Sequence, residues 1–278
     1  MSVKDKTLQG RAAIVTGGAS GLGRAIALRL AQEGADVCLM SLSQQRVRLA
    51  PDEIKYFASV DEIQKTRREV EALGVRCVAL DGDISAVADV EHMVRSTVES
   101  FGRLDILVNN AATDVVHTVL GHSDEAWMRV INVNLVGTYL CVRAALPAMI
   151  ANGWGRIISI GSTNAHIGTA SYSAYAASKH GLLGFNRSLA QEVAGHHITA
   201  NTVSPGALET PSAEMHIRKW AEDAGVSYEA MRERYMSEYP QKRFIPPEEV
   251  ADLVFYLCRE EARAINGEDI RITTGAMY

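Results

Sequence analysis

The sequence predicts a doubly wound α/β fold, in which one parallel sheet is covered by helices on both faces. Strand-like and helical runs alternate along the chain, several strand-like runs are apolar throughout, and a glycine-rich turn follows the first of them. Strands that are apolar throughout are typical of a sheet buried on both faces. At 278 residues and 47% hydrophobic, the chain is long enough for one large core. We therefore expect a single domain over residues 1–278.

Each predicted element follows from these patterns. The strand-like runs lie near residues 12–16, 36–41, 75–80, 105–109, 156–161, 198–203 and 268–273. The helical runs lie near residues 22–33, 61–73, 86–101, 124–151, 174–194 and 247–259. Because they alternate, each helix should connect parallel strands, which gives a sheet of about seven strands with its ligand site at their carboxyl ends. An insertion at 42–60 and a stretch at 207–246 are longer than such connections require.

The glycine-rich turn is the first feature that indicates a ligand. The apolar run Ala12–Val15 leads into Thr16-Gly-Gly-Ala-Ser-Gly-Leu-Gly, and a helical pattern follows. Gly17 allows the tight turn, Gly21 lets the backbone approach a pyrophosphate, and Gly23 permits close contact between helix and strand. The N–H groups and the dipole at the start of the helix favour negative charge. A dinucleotide is therefore the expected ligand, with a plain loop as the alternative.

A second motif carries acid–base groups. Tyr175 and Lys179 lie four residues apart in a helical run, so they share one helix face, and Ser162 lies thirteen residues before Tyr175. A phenol has a reference pKa of about 10, and a nearby cation favours the phenolate. Lys179 should therefore lower the pKa of Tyr175 toward the working range. This arrangement indicates interconversion of carbonyls and alcohols.

Together these motifs resemble the short-chain dehydrogenases/reductases, in their compact single-domain branch. The resemblance covers roughly residues 8–278. Beyond the glycine turn, Ser162, Tyr175 and Lys179, it includes Asp83, Asn109-Asn110-Ala111, Asn134, and Pro205-Gly206 followed by Thr210. Their order and spacing fit the family. The resemblance implies a Rossmann fold, a nicotinamide cofactor and oxidoreductase activity, and it says much less about the substrate.

The resemblance implies a catalytic set of Asn134, Ser162, Tyr175 and Lys179. Tyr175 would exchange a proton with the substrate oxygen during hydride transfer, and Ser162 would hydrogen-bond that oxygen. Lys179 would hold the nicotinamide ribose and tune Tyr175. Asn134 would anchor a water that connects Lys179 to solvent, and its place in a helix suits such a use because asparagine is a poor helix former. The alternative for Asn134 is a buried amide satisfied by its neighbours.

The same resemblance implies the cofactor contacts. Asp83 and Ile84 would line the adenine pocket, although Asp83 could also cap the helix that follows. Asn109 and Ala111 would face the ribose and nicotinamide, and Thr210 would touch the carboxamide. The full expected set is Gly17, Ser20, Gly21, Leu22, Gly23, Ser41, Asp83, Ile84, Asn109, Ala111, Tyr175, Lys179, Pro205, Gly206 and Thr210.

The end of the second strand bears on NAD versus NADP. An acid at this position takes the ribose hydroxyls of NAD, whereas basic residues take the 2′-phosphate of NADP. Here Ser41 and Leu42 occupy the position, and no acid occurs from residue 37 to residue 50. Arg46 and Arg48 could approach a phosphate, but arginines in an exposed insertion are more often only solvated. The cofactor is therefore expected to be NAD or NADP, with NAD favoured. Two interpretations of the insertion stay open: a surface loop, or a cover over the adenine end of the cofactor.

The stretch 207–246 is expected to form a substrate lid. Its apolar residues at helical spacing are Met215, Ile217, Trp220, Tyr228, Met231, Tyr235 and Met236. It resembles the lid of 3-hydroxybutyrate dehydrogenases, but the positions that hold the substrate carboxylate there are Asp114, Asn164 and Tyr172 here. Because Asp114 would repel an acid, we expect a neutral secondary alcohol or ketone with further hydroxyls, such as a sugar, cyclitol or cyclic diol. Candidate contacts are Asp114, Asn164, His166 and Tyr172, and a hydrophobic ketone or a hydroxy acid is the alternative.

Charge and composition exclude other classes of partner. The net charge is −5 and the charges are interspersed, so nucleic acid is not expected. The first residues are polar, and we expect no segment to reach the ~18 apolar residues that a membrane span needs, so a cytoplasmic enzyme is expected. The four cysteines lack metal-ligand spacing and should be reduced and buried. The histidines, His216 among them, are expected to be surface or packing residues, and no metal is expected.

Three classes of function remain after the sequence analysis. They are a nicotinamide-dependent oxidoreductase, a catalytically silent dinucleotide-binding protein, and a dehydratase or epimerase that uses its nicotinamide transiently. The complete catalytic set favours the first class. The resemblance also implies a homotetramer or homodimer, packed through the helices near 124–151 and 174–194.

Overall fold

Seven parallel strands form one sheet in the computed structural model, which describes residues 7–48, 53 and 56–276. The strands are β1 (Ala12–Thr16), β2 (Asp36–Ser41), β3 (Cys77–Asp81), β4 (Ile106–Asn109), β5 (Gly155–Ile160), β6 (Ile198–Pro205) and β7 (Asp269–Ile272). Their order across the sheet is β3-β2-β1-β4-β5-β6-β7. The predicted seven-stranded parallel sheet is therefore confirmed.

Helices cover both faces of this sheet. They are α1 (Gly21–Gln32), α2 (Val60–Glu71), α3 (Val87–Phe101), α4 (Asp124–Ile131), α5 (Thr138–Asn152), α6 (Ser173–Val193), α7 (Pro211–Ala224), α8 (Tyr228–Ser237) and α9 (Pro247–Leu257). One apolar core joins the sheet to α1, α2 and α9, and a second joins its other face to α3, α5 and α6. The chain order reverses between β1 and β4, so a crevice opens there at the carboxyl ends of the strands.

The predicted helix at 124–151 is divided in the structure. A π-helical segment, Asn132–Gly137, separates α4 from α5. By length and composition, the run Asp124–Asn152 is apolar enough to cross a membrane, so the sequence prediction that no segment reaches this threshold was wrong. Half of its most apolar stretch is buried within the protein, as in the core helix of an α/β fold. The wide π turn matters for the site because it carries Asn134.

The stretch after β6 forms a helical hairpin of α7 and α8. Thr210 begins α7, because its hydroxyl accepts a hydrogen bond from the Ala213 N–H, and Pro211 occupies the first turn. Gly225 ends α7 in the left-handed conformation, and Ser227 caps α8 through the Ala230 N–H. The two helices share a small apolar core of their own, whose buried members are Ala207, Ile217, Ala221, Met231, Tyr239 and Phe244. The helical spacing predicted for 207–246 is present, and it corresponds to two helices.

Candidate active site

Most of the expected cofactor residues meet in one cleft at the carboxyl ends of the strands. The members that line it are Gly17, Ser20, Gly21, Leu22, Gly23, Ser41, Asp83, Ile84, Ala111, Tyr175, Lys179, Pro205, Gly206 and Thr210. Asn109 is the exception, because it is buried beneath the cleft floor with its Nδ2 3.4 Å from the Ser159 hydroxyl. Its Oδ1 has no hydrogen-bond partner among the described residues. The expected place of Asn109 beside the ribose and nicotinamide stays a prediction.

The glycine turn is shaped by close backbone approach. Gly17 has φ +63° and Gly21 has φ +50°, which are conformations that favour glycine. A Cβ atom at Gly23 would lie 2.0 Å from the Gly17 carbonyl oxygen, so only glycine fits there. Ser20 precedes α1 without capping it through its side chain, so the first N–H groups of α1 are left for another acceptor. This cradle fits the pyrophosphate of a dinucleotide.

Asn110 ties this turn to β4, a role that the sequence analysis did not assign. Its Nδ2 donates to the carbonyls of Thr16 at 2.9 Å and Gly17 at 3.2 Å. In return, the Thr16 hydroxyl accepts from the backbone N–H groups of Asn110 and Ala111 at 3.0 and 3.1 Å. These bonds hold the carboxyl ends of β1 and β4 in register. The pair Asn109-Asn110 was the available signal, but a pair of amides does not show which one braces the turn.

The adenosine end of the cleft is neutral at the position after β2. The Ser41 hydroxyl accepts from the Ala19 N–H at 3.0 Å, so it also braces the glycine turn. Asp83 accepts from both the backbone N–H and the hydroxyl of Ser85, which is a local turn at the start of the α3 region, and it also lines the cleft. Arg46 pairs with Asp89 at 2.8 Å. In this structure the Arg46 guanidinium is therefore paired with a carboxylate.

Described parts of the insertion reach across the cleft. Tyr56, Phe57 and Ala58 line it, and Glu53 forms an isolated antiparallel bridge with Val115 after β4. The Glu53 carboxylate accepts from the Thr113 hydroxyl and pairs with Arg129 of α4 at 2.9 Å. Its side chain is fully buried. The sequence analysis missed these contacts, because a lone acid in an insertion has no periodic pattern that reveals its partner.

Three of the four expected catalytic residues, Ser162, Tyr175 and Lys179, line the same cleft. Lys179 is 3% exposed, with its Nζ 5.6 Å from the centre of the Tyr175 ring. The Lys179 ammonium donates to the Ile160 carbonyl at 2.7 Å. The edge of Tyr172 packs near Tyr175, with ring centres 6.4 Å apart. The predicted grouping of Ser162, Tyr175 and Lys179 is thus present in space.

The electrostatic balance at Tyr175 differs from the sequence prediction. Burial is the largest cause and raises the pKa of Tyr175; the negative charge of Asp114 raises it further, and the Ser162 hydrogen bond opposes both. The net direction is upward, so the prediction of a lowered pKa was wrong for this structure. The effect of a nearby ammonium on the pKa could be predicted from the sequence, whereas the effect of burial could not. Tyr175 is therefore held as a neutral phenol near neutral pH.

Asn134 makes the contacts of a structural amide. Its Oδ1 accepts from the Thr113 N–H at 2.8 Å, and its Nδ2 donates to the Thr113 carbonyl at 2.8 Å and the Ser178 hydroxyl at 3.0 Å. It is 2% exposed. The side chain thus joins the loop after β4 to α6, which carries Tyr175 and Lys179. The expected water-anchoring role stays a prediction.

A second cavity adjoins Tyr175 and lies under the helical hairpin. Three of the four expected substrate contacts line it, namely Asp114, Asn164 and Tyr172. His166 is not among the described residues that line it, and its contact with the substrate stays a prediction. The His166 Nε2 lies 2.6 Å from Asp269 of β7, which also accepts from the Ser204 hydroxyl at 2.6 Å. The His166 imidazole thus contacts a carboxylate on the last strand.

His216 of α7 takes a place in the cavity wall that the sequence analysis did not assign to it. Its Nε2 lies 3.0 Å from Asp114 Oδ2, with about 10% and 14% of the two side chains exposed. Its ring lies 5.8 Å from that of Trp220, and both residues line the cavity. The available signal was helical spacing, since Ala213, His216, Ile217 and Trp220 lie on one face of α7. A histidine within an apolar stripe is more often a packing residue, which is how it was interpreted.

The fold and this arrangement of cleft, phenol, ammonium and hydroxyl define the class of protein. The chain belongs to the short chain dehydrogenase family, whose model matches residues 11–221. It is therefore an oxidoreductase of a family that uses NAD(P) and acts on small-molecule substrates. Among the described residues, no group of three or more His, Cys, Asp or Glu side chains could hold a metal ion.

Relatives and solved structures agree over almost the whole chain. A D-beta-hydroxybutyrate dehydrogenase of Rhizobium meliloti (strain 1021) is 34% identical, and the match covers 95% of this chain and 98% of that protein. An uncharacterized NAD-dependent oxidoreductase of Mycobacterium tuberculosis (strain ATCC 25618 / H37Rv) is 35% identical over 100% of this chain and 99% of that protein. The crystal structure of levodione reductase superposes with a TM-score of 0.86 at 28% identity, covering 96% of this chain and 98% of that chain.

Proposed function

We propose that the protein interconverts a secondary alcohol and a ketone, and that its substrate is a neutral polar molecule such as a sugar, cyclitol or cyclic diol. The observation that carries this proposal is the composition of the cavity beside Tyr175. Asp114, Asn164 and Tyr172 offer hydrogen-bonding groups there, and no lysine or arginine is among the described residues that line it. A cavity with two carboxylates, Asp114 and Glu238, and no such cation suits hydroxyls better than an acid.

In the proposed reaction, the cofactor and each residue have a separate role. The nicotinamide cofactor, when bound, supplies or accepts a hydride at the carbinol carbon. Tyr175 gives a proton to the ketone oxygen in reduction and takes it from the alcohol in oxidation, and Ser162 donates a hydrogen bond to that oxygen. Lys179, fixed by the Ile160 carbonyl, places a positive charge beside the phenol. The raised pKa of Tyr175 keeps its proton available for reduction near neutral pH.

NAD is the proposed cofactor. Ser41 and Leu42 offer no positive charge at the adenosine end, and Arg46 is paired with Asp89. A 2′-phosphate would therefore bring charge to the cleft without a dedicated partner after β2. The relative from Mycobacterium tuberculosis is named as an NAD-dependent enzyme, which also supports the proposal. The ratio of kcat/KM with NAD to that with NADP tests it, and a preference for NADP would contradict it.

A hydrophobic ketone is the second candidate substrate. The observation that favours it is the aromatic run of the hairpin, in which Trp220, Tyr235 and Tyr239 are in ring contact and all line the cavity. Parallel assays of polyols, cyclic diols and apolar secondary alcohols, followed by the absorbance of reduced nicotinamide, separate the candidates. A preference for apolar alcohols by kcat/KM would reject the polar substrate.

The remaining sequence expectations stay predictions. They are a homotetramer or homodimer and a cytoplasmic location. Sedimentation of the purified protein tests the first, and fractionation of cells tests the second.

A further inference from the structure

The cavity next to Tyr175 contains one close contact between a carboxylate and an imidazole, formed by a loop residue and a residue of the hairpin. Asp114 follows β4, and His216 lies on α7, with 3.0 Å between Oδ2 and Nε2. About nine-tenths of the His216 side chain is buried. Because the two residues come from separate elements, this contact also joins the hairpin to the loop after β4.

His216 is the one basic side chain among the described residues that line this cavity. A substrate carboxylate needs a cation or several donors to offset the loss of its hydration. The imidazole that could serve as the cation lies against Asp114, and a substrate carboxylate would have to displace that internal carboxylate. In this arrangement the Asp114 carboxylate lies against the His216 imidazole, where the carboxylate of a substrate would have to bind.

We infer that Asp114 and His216 act together as a selectivity device that rejects carboxylate substrates and admits neutral ones. This inference rests on the proposed function and names the structural basis of its substrate class. The contrast with the hydroxybutyrate dehydrogenase relative is one of substrate charge: that protein is named for a hydroxy acid, whereas here the cation-capable group is paired within the chain. Removing the Asp114 charge should release His216 to bind a carboxylate.

The test is a binding measurement that does not depend on turnover. Butyrate and butyramide are similar in size and differ in charge, and each is titrated calorimetrically into the enzyme in the presence of NAD. For Asp114→Asn we expect the affinity for butyrate, relative to butyramide, to rise about tenfold over wild type, which is the change that 1.4 kcal/mol gives. The double variant Asp114→Asn with His216→Gln should lose this gain, because glutamine keeps a donor but has no positive charge.

Two controls separate this device from general effects of charge and folding. Glu238→Gln removes the other carboxylate of the cavity, which is exposed to solvent, and it should change the ratio less than twofold because water screens its charge. The gain in Asp114→Asn should also decline as the pH is raised, since only imidazolium attracts the carboxylate. The other titratable groups lining the cavity are Asp114, Glu238 and the tyrosines Tyr172, Tyr175, Tyr235 and Tyr239.

The outcomes are distinct. An unchanged ratio in Asp114→Asn, or a gain that persists in the double variant, would overturn the inference. If Asp114→Asn does not fold, Asp114→Ser makes the same comparison. Failure of the proposed function would look different, because the enzyme would then oxidise none of the neutral alcohols, whatever the butyrate ratio.

Discussion

At the scale of single residues, the surroundings of Tyr175 and Lys179 set the pKa of the phenol and the position of the ammonium. Tyr175 is the acid–base candidate, yet burial and Asp114 raise its pKa, and the Ser162 hydrogen bond offsets only part of this. Lys179 is buried and held by a backbone carbonyl, so its position relative to the phenol is fixed. Because the Asp114 charge raises its pKa and the Lys179 ammonium lies 5.6 Å from its ring centre, the protonation of Tyr175 should respond to mutation of either residue.

The Asp114 charge gives a pH prediction at this scale. Asp114→Asn removes a negative charge that raises the pKa of Tyr175, so the pKa falls. Alcohol oxidation needs the phenolate as proton acceptor, and its kcat/KM should therefore begin to rise at lower pH in the variant than in wild type. The measurement is the pH profile of kcat/KM for one neutral alcohol. A rising limb that stays in place, or moves to higher pH, would show that Asp114 does not act on Tyr175.

Gly23 gives a steric prediction. In Gly23→Ala the new Cβ would meet the Gly17 carbonyl at 2.0 Å, so the turn must shift. We expect a loss of about 1–3 kcal/mol in the free energy of unfolding and at least tenfold weaker binding of NAD. Gly184→Ala is the matched control, because that glycine lies exposed within α6 with open space around it. The control should gain about 1 kcal/mol and bind NAD normally; equal behaviour of the two variants would reject the steric account.

At the scale of elements, two segments outside the regular alternation cover the site. The hairpin of α7 and α8 lines the cavity beside Tyr175 through His216, Trp220 and Tyr235. The insertion reaches the cofactor cleft through Tyr56 and Phe57. The first was predictable because its apolar residues follow a helical period. The contacts of the second were not predictable, because they depend on a buried pair between residues far apart in sequence.

Glu53 gives the prediction for the insertion. Glu53→Gln leaves Arg129 without its buried carboxylate partner and should weaken the attachment of the insertion by about 1 kcal/mol. NAD should then leave the protein roughly fivefold faster, which stopped-flow displacement by excess unlabelled nucleotide measures. Glu71→Gln is the control, since Glu71 forms an exposed pair with Arg67 on α2 and should have almost no effect. An unchanged rate in Glu53→Gln would show that the insertion does not retain the nucleotide.

At the scale of the whole molecule, the sheet was predictable almost residue by residue. The run Ala12–Thr16 is completely buried, as its apolar sequence indicates, and the other strands lie within two residues of their predicted bounds. Burial, by contrast, could not be derived before the fold was known, and it decides the pKa of Tyr175. Nor could partners from distant elements be derived, and for that reason the contacts of His166 with Asp269 and of His216 with Asp114 were not predicted.

One measurement tests the central claim most directly. Purified enzyme with NAD is offered polyols, cyclic diols, hydroxy acids and apolar secondary alcohols, and the absorbance of reduced nicotinamide is followed for wild type and Tyr175→Phe. We predict turnover with a neutral polyol or diol, and a loss of about 10²–10⁴-fold in kcat for Tyr175→Phe with NAD binding retained. Turnover of a hydroxy acid alone, or a near-normal rate in Tyr175→Phe, would contradict the account.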